Sequence, residues 1–176
     1  MTDAISDRCD PEVFCFTAPR LRDDPPQLVL SIQPRHARNI LRGTKTVEFR
    51  RRFPDTDRMT GATIWMYSTS PVRAVVGLAT VERVMRMPLR QLWSKYHGFG
   101  GVDQGTFDDY FSDLTHGCAI QLADVTRLDK EITAASLSER GFRAPQSYRY
   151  VTADVYPLLR RAFGEAASRH QHRDQA

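Results

Sequence analysis

One stretch, Gly43-Thr44-Lys45-Thr46-Val47-Glu48-Phe49-Arg50-Arg51-Arg52, constrains this chain more than any other. It is preceded by Leu28-Val29-Leu30-Ser31-Ile32, an apolar run of strand length and strand residue types, which reads as a buried strand. Pro34 then suits the first turn of a helix, where its missing N–H costs nothing. Ala37, Ile40 and Leu41 fall at i, i+3 and i+4 and form one apolar stripe. Gly43 follows as the residue just past the helix end, where positive φ is required. The order strand, helix, glycine turn, strand places Lys45, Glu48 and Arg50 together at the start of a second strand. By period 2, Val47 and Phe49 share the core face, while Thr46, Glu48 and Arg50 share the other. Strict alternation puts Lys45 with Val47, so it meets Glu48 only if it precedes the regular pleat or a bulge re-aims it.

The remaining chain reads as scaffold. Residues 1–27 carry Pro11, Pro19, Pro25 and Pro26 and one apolar patch, Val13 to Phe16; they are expected to be a partly ordered extension, with the patch docking as an edge strand. Phe53 to Gly61 is a loop, Ala62 to Tyr67 a strand, and Ser68-Thr69-Ser70-Pro71 its exit. Ala74 to Val81 is strongly β, and Gly77 inside it predicts a bend or bulge. Glu82, Arg83 and Arg86 mark emergence into solvent. Pro88 opens a helix to Tyr96, which ends in a flexible break, His97-Gly98-Phe99-Gly100-Gly101. Asp103 is an N-cap for a short helix carrying Phe107, Tyr110 and Phe111. Cys118 to Val125 is a strand, with Leu128 toward the edge. Leu137 sits in a weak helical turn, Ala144 to Val151 is extended, Asp154 to Phe163 is a closing helix, and residues 164–176 form a polar tail. Strands outnumber helices and do not alternate with them. The expected fold is therefore α+β, a small mixed β-barrel of about five to six strands with flanking helices, occupying residues 28–163.

Composition removes several function classes. No apolar run approaches the roughly 20 residues of a spanning helix. The acidic first residues lack an apolar signal segment, so a cytoplasmic location is expected. Cys9, Cys15 and Cys118 have no CxxC spacing, and the five histidines no metal-ligand spacing, so no metal or other cofactor is expected. Glycine signatures of dinucleotide sites, phosphate loops and hydrolase elbows are missing from the sequence. The net charge of +4 is built from 25 basic residues, 22 Arg and 3 Lys. Arginine's planar fork matches phosphate and stacks on bases, which is compatible with nucleic acid; a GC-rich genome gives the same bias.

Lys45, Glu48 and Arg50 are either strand-surface ion pairs or the floor of a site. In the second reading Tyr67, Ser68 and Tyr148 would close a hollow that takes a base by stacking and edge hydrogen bonds. Lys45 would contact phosphate or act as a base, and Glu48 would orient it.

The pattern Gly43-x-Lys45-x-x-Glu48-x-Arg50 resembles the GxKxxExR signature of the ASCH domain, a PUA-like β-barrel. Ser31-Ile32-Gln33-Pro34 with Ile40-Leu41-x-Gly43 is similar to the start of that family, and Tyr67 to Val72, Val76-Gly77 and Pro145-Gln146-Ser147-Tyr148 fit one of its bacterial branches. The resemblance implies a cleft between barrel and helices that faces RNA or a modified nucleoside or nucleotide. The resemblance puts Lys45, Glu48 and Arg50 in that cleft; together with the reading of the residues themselves, the expected ligand-binding set is Lys45, Glu48, Arg50, Arg52, Tyr67, Ser68, Ser70, Arg73, Ser147 and Tyr148, with Arg51 adding to the phosphate contacts. Some members are catalytic, deacetylating acetylated cytidine with a Lys, a Thr and a Glu, or cutting single-stranded RNA; here Lys45 and Glu48 would be the catalytic pair. The amidohydrolase Thr falls at Glu48, and its distal Glu falls near Gly100, with Asp103 the nearest carboxylate, so two of three positions differ. Three functions stay open: a binding module, a hydrolase, and a regulatory protein-interaction domain. The oligomeric state is open too.

Overall fold

A computed structural model describes residues 25–54 and 57–173, with side chains to residue 164. The Val13 to Phe16 patch lies outside the described residues. Six strands form one mixed sheet: β1 (Gln27–Ile32), β2 (Val47–Arg50), β3 (Thr63–Ser68), β4 (Ala74–Pro88), β5 (His116–Thr133) and β6 (Tyr148–Tyr150). Their spatial order is β2-β5-β4-β3-β1-β6, with β1 and β3 parallel and every other pair antiparallel. The parallel pair follows from the connection: α1 (Pro34–Leu41) and β2 intervene between β1 and β3, so the chain returns in the same direction.

The sheet curls around a core of Leu28, Leu30 and Ile32 from β1, Ile64 and Met66 from β3, Val81 from β4, and Ile120 and Leu122 from β5, with Ala37 and Ile40 of α1 over it. Register shifts occur between Val75 and Gly77, Leu78 and Thr80, and Val81 and Arg83, which supply the curvature. The bend expected at Gly77 is there. A side chain would not fit, since an added Cβ would lie 2.6 Å from the Thr126 carbonyl oxygen. The result is barrel-like but open. Among the described residues no backbone ladder joins β2 to β1 or β6, and Arg50 Nη2 donates across that seam to the Ser31 carbonyl at 2.5 Å.

Two further layers complete the fold. The outer face of β1, β3, β4 and β5 buries Val29, Trp65, Tyr67, Val75, Leu128 and Ile132 against α4 (Ala134–Ser138) and α5 (Tyr156–Arg173). Beyond the barrel, α2 (Leu89–Gly100) and α3 (Gln104–Tyr110) cover β2 and β5, packing Leu92, Tyr96, Phe107 and Phe111 on Val47, Phe49 and Ala119. Asp103 caps α3 as its sequence position suggested, its carboxylate accepting from the Thr106 N–H at 2.8 Å.

Several boundaries differ from the sequence reading. β4 runs on past Glu82 to Pro88, because β5 pairs with it along that whole length; charged side chains face water while the backbone stays in the ladder. Leu128 is not near an edge: β5 continues to Thr133, and the residue is buried under the outer layer. The segment expected to be a flexible break is helix as far as Gly100, and the turn comes only at Gly101, whose φ is 62°. Helix α5 continues to Arg173, so the polar tail is largely helical.

Candidate functional site

Lys45 lies before β2, in the turn that leaves α1. The Asn39 carbonyl takes both the Thr44 and Lys45 N–H groups, at 3.0 and 3.2 Å, so the lysine is outside the regular pleat. That removes the alternation problem, and Lys45 Nζ meets Glu48 Oε2 at 3.2 Å. The other Glu48 oxygen meets Arg50 Nη2 at 3.1 Å. Lys45 Nζ also donates to the Gly100 carbonyl at the end of α2. Lys45 is 2% exposed, and Glu48 and Arg50 are each 7% exposed. Glu48 and Arg50 stand opposite Ile120 and Cys118 of β5, which are core residues, so both faces of β2 are buried and not one. The trio fills the open mouth of the barrel.

This group is part of a cleft of about 620 Å³ between the barrel, α1 and α3. Arg35 and His36 come from α1, Arg51 and Arg52 follow β2, Thr106, Phe107 and Tyr110 come from α3, and Gln146 and Ser147 precede β6. Five cations, Arg35, Lys45, Arg50, Arg51 and Arg52, face two carboxylates, Glu48 and Asp113, leaving a surplus of three positive charges. Arg51 is anchored by donating to Asp113 and to the Tyr110 carbonyl. That ion pair holds the exposed Asp113 carboxyl below its ordinary range.

Electrostatics set the protonation of the floor. Burial pushes the Lys45 ammonium below the usual lysine range, and Glu48 pulls it back up. His36 is held below 6.5 by burial and then by the Lys45 charge, with Arg35 and Arg50 adding to the effect and Glu48 opposing it. The His36 Nδ1 and Arg50 Nε atoms are buried without a hydrogen-bond partner among the described residues.

Of the ten residues singled out in the sequence, Lys45, Glu48, Arg50, Arg52 and Ser147 line this cleft. The other five do not. Tyr67 is packed in the outer layer, and Ser68 lines a shallow depression on the far side of α1. Ser70 and Arg73 are exposed in the turn between β3 and β4. Tyr148 packs its ring on Phe53, with centroids 5.2 Å apart. Sequence reasoning missed His36, Thr106, Tyr110 and the Gly100 carbonyl. Gln146, inside the Pro-Gln-Ser-Tyr motif, carried a signal; the others arrive from elements whose docking has no local signature.

The profile of the ASCH domain family matches residues 30–136. An ASCH domain-containing ribonuclease of Zymomonas mobilis is 34% identical over 130 residues, covering 73% of this chain and 86% of that protein. The crystal structure of ASCH from Zymomonas mobilis matches with a TM-score of 0.71 at 32% identity, over 77% of this chain and 95% of that one. A Ser-to-Ala variant of that protein gives the same TM-score at 33% identity. This chain belongs to the ASCH domain family. No helix among the described residues is long and apolar enough to cross a membrane.

The lowered His36 value has a testable sign. Near neutrality the ring is uncharged, and as pH falls through its lowered value the cleft gains one positive charge. Binding of an anionic ligand in the cleft is expected to tighten as pH falls through that lowered value, and His36→Gln to flatten the dependence. Stability moves the other way. An unfolded chain protonates this histidine at about 6.5 while the folded one does not, so folding is weakened as pH drops below that point. Anisotropy titrations with a polyanion over a pH series falling from neutrality, with denaturant melts beside them, check both signs.

Proposed function

We propose that this ASCH domain binds single-stranded RNA in the cleft and cleaves it, with Lys45 and Glu48 as the catalytic pair. The observation that carries the reading is a buried, charge-coupled Lys45–Glu48–Arg50 group at the floor of a cleft with surplus positive charge. The Zymomonas relative, named as a ribonuclease, supports it. The cleft combines cations for phosphate with Phe107 and Tyr110 on the α3 wall, which suits unpaired bases.

Each residue then has a role. Two of the three Lys45 N–H donors are taken by Glu48 and the Gly100 carbonyl, so the ammonium is fixed in place with one donor left for a phosphate oxygen. Such a preorganised cation stabilises the charge that builds on phosphorus-bound oxygens in the transition state. Glu48 raises the Lys45 pKa against the effect of burial and aligns Arg50. Arg51 and Arg52 engage neighbouring phosphates.

Deacetylation of a modified cytidine is less well supported. That mechanism's distal carboxylate would fall near Gly100, where residues 98–102 carry none, and the Asp103 carboxylate is committed to capping α3.

Lys45→Ala is expected to lower the cleavage rate of a labelled single-stranded oligoribonucleotide by about 10²–10³-fold. Wild-type affinity should also fall as salt rises, with a slope of about −0.7 per phosphate neutralised. Undiminished turnover in the variant would assign the activity to a contaminant. Affinity indifferent to salt would remove the cleft from RNA binding.

A further inference from the structure

We infer that Tyr150, at the end of β6, is a stacking site for a nucleobase of single-stranded RNA lying outside the cleft; this extends the RNA reading above and rests on it. Three rings form a line that starts at the cleft rim and ends in water. Phe53 follows Arg52, and Tyr148 follows Ser147; both Arg52 and Ser147 line the cleft. The Phe53 and Tyr148 centroids are 5.2 Å apart at 61°, and Tyr148 and Tyr150 are 6.5 Å apart at 86°. Tyr148 and Tyr150 are two residues apart on one strand and therefore share a face. Phe53 is buried, Tyr148 is half-buried, and Tyr150 is 51% exposed. The intervening Arg149 projects to the opposite face, over the Phe142 ring at 5.3 Å, and is not part of the line.

The occupant follows from continuity and charge. Ser147 directly precedes β6 and Tyr150 ends it, about 10 Å of extended chain, so a base on Tyr150 belongs to a different nucleotide from one held at Lys45. A strand leaving the cleft passes the exposed Arg52 guanidinium, which suits its phosphates, and then reaches an uncovered aromatic face. Stacking on such a face tolerates any base, so the site contributes affinity and length dependence without sequence preference. The Tyr148 ring stands roughly perpendicular to it at 6.5 Å, on the side toward the cleft rim.

Affinities of the full chain for a 2′-O-methylated dinucleotide and octanucleotide, measured by fluorescence anisotropy, test this. Tyr150→Ala is expected to weaken the octanucleotide about 10-fold, to leave the dinucleotide unchanged, and to be rescued by Tyr150→Phe, which keeps the ring. Equal loss for both lengths, or no loss for either, overturns the proposal. So does a variant whose stability or oligomeric state changes while its length dependence does not, since the ring would then be covered by protein. If the wild-type chain binds neither oligonucleotide at low salt, the cleft reading itself fails, a result distinct from those.

Discussion

Glu48→Gln is expected to destabilise the folded chain by about 3–5 kcal/mol, because it leaves two buried cations without their shared counter-charge. The carboxylate stands 3.2 Å from Lys45 Nζ and 3.1 Å from Arg50 Nη2, and all three side chains are over nine-tenths buried. Gln preserves shape and some hydrogen bonding, so the loss reports charge and not a cavity. Lys45 answers the change as well. Burial already lowers its pKa and Glu48 is the main opposing influence, so in the variant the lysine releases its proton more readily. The sign follows from proton counts. Between the lowered folded value and the unfolded 10.5, the unfolded chain binds more protons, and stability therefore rises with pH across that window. Urea melts over a pH series rising from neutrality toward 10.5 should show the variant recovering part of its deficit as pH increases. A deficit below about 1 kcal/mol would class the trio with exposed surface pairs and remove the basis for a preorganised floor.

Gly100→Ala should disable the site from outside it. A Cβ there would stand 2.1 Å from Phe49 Cε2 and 2.8 Å from Cζ, so the last turn of α2 or the ring must move. The Gly100 carbonyl is one of the two partners that hold Lys45, and Phe49 lies on the strand that carries Glu48 and Arg50. The overpacking is expected to cost about 1–3 kcal/mol, with a loss of RNA cleavage approaching that of Lys45→Ala. Gly98 is the control. It lies in the same helix with nothing within 4 Å of an added Cβ, so Gly98→Ala should leave cleavage intact and stabilise the chain by about 0.5–1 kcal/mol. A Gly100→Ala protein as stable and as active as the parent would show that the carbonyl does not position the lysine.

How much of this was readable beforehand depends on whether the signal was local. Pro34, the Ile40–Leu41 stripe and Gly43 define α1 and its exit within ten residues, and the structure has them in those places. The bend at Gly77 was readable for the same reason. Lys45 was ambiguous because period 2 gives two answers at a strand's first residue; the Asn39 carbonyl, which no pattern announces, decides it. Tyr67 and Ser68 were misplaced because alternation says that neighbours face opposite ways but not which face is covered by what. Helices α4 and α5 bury Tyr67 on the outer layer. The glycines around Phe99 look like a hinge, yet Gly100 is a glycine because Phe49 occupies the space a side chain would need. His36 and Tyr110 reach the cleft only through the docking of α1 and α3, which depends on contacts far apart in sequence.

The open seam between β2 and β1 gives the site a thermodynamic consequence. Where a closed barrel would have a ladder of peptide bonds, this one has a guanidinium reaching a single carbonyl, so the last joint of the fold is also the floor of the cleft. On the function proposed above, a strand of RNA lying there would span both lips and act as a clasp. Occupancy would then raise the melting temperature with the logarithm of ligand concentration above Kd, and amides of Val47 to Arg50 should exchange their hydrogens more slowly when the clasp is in place.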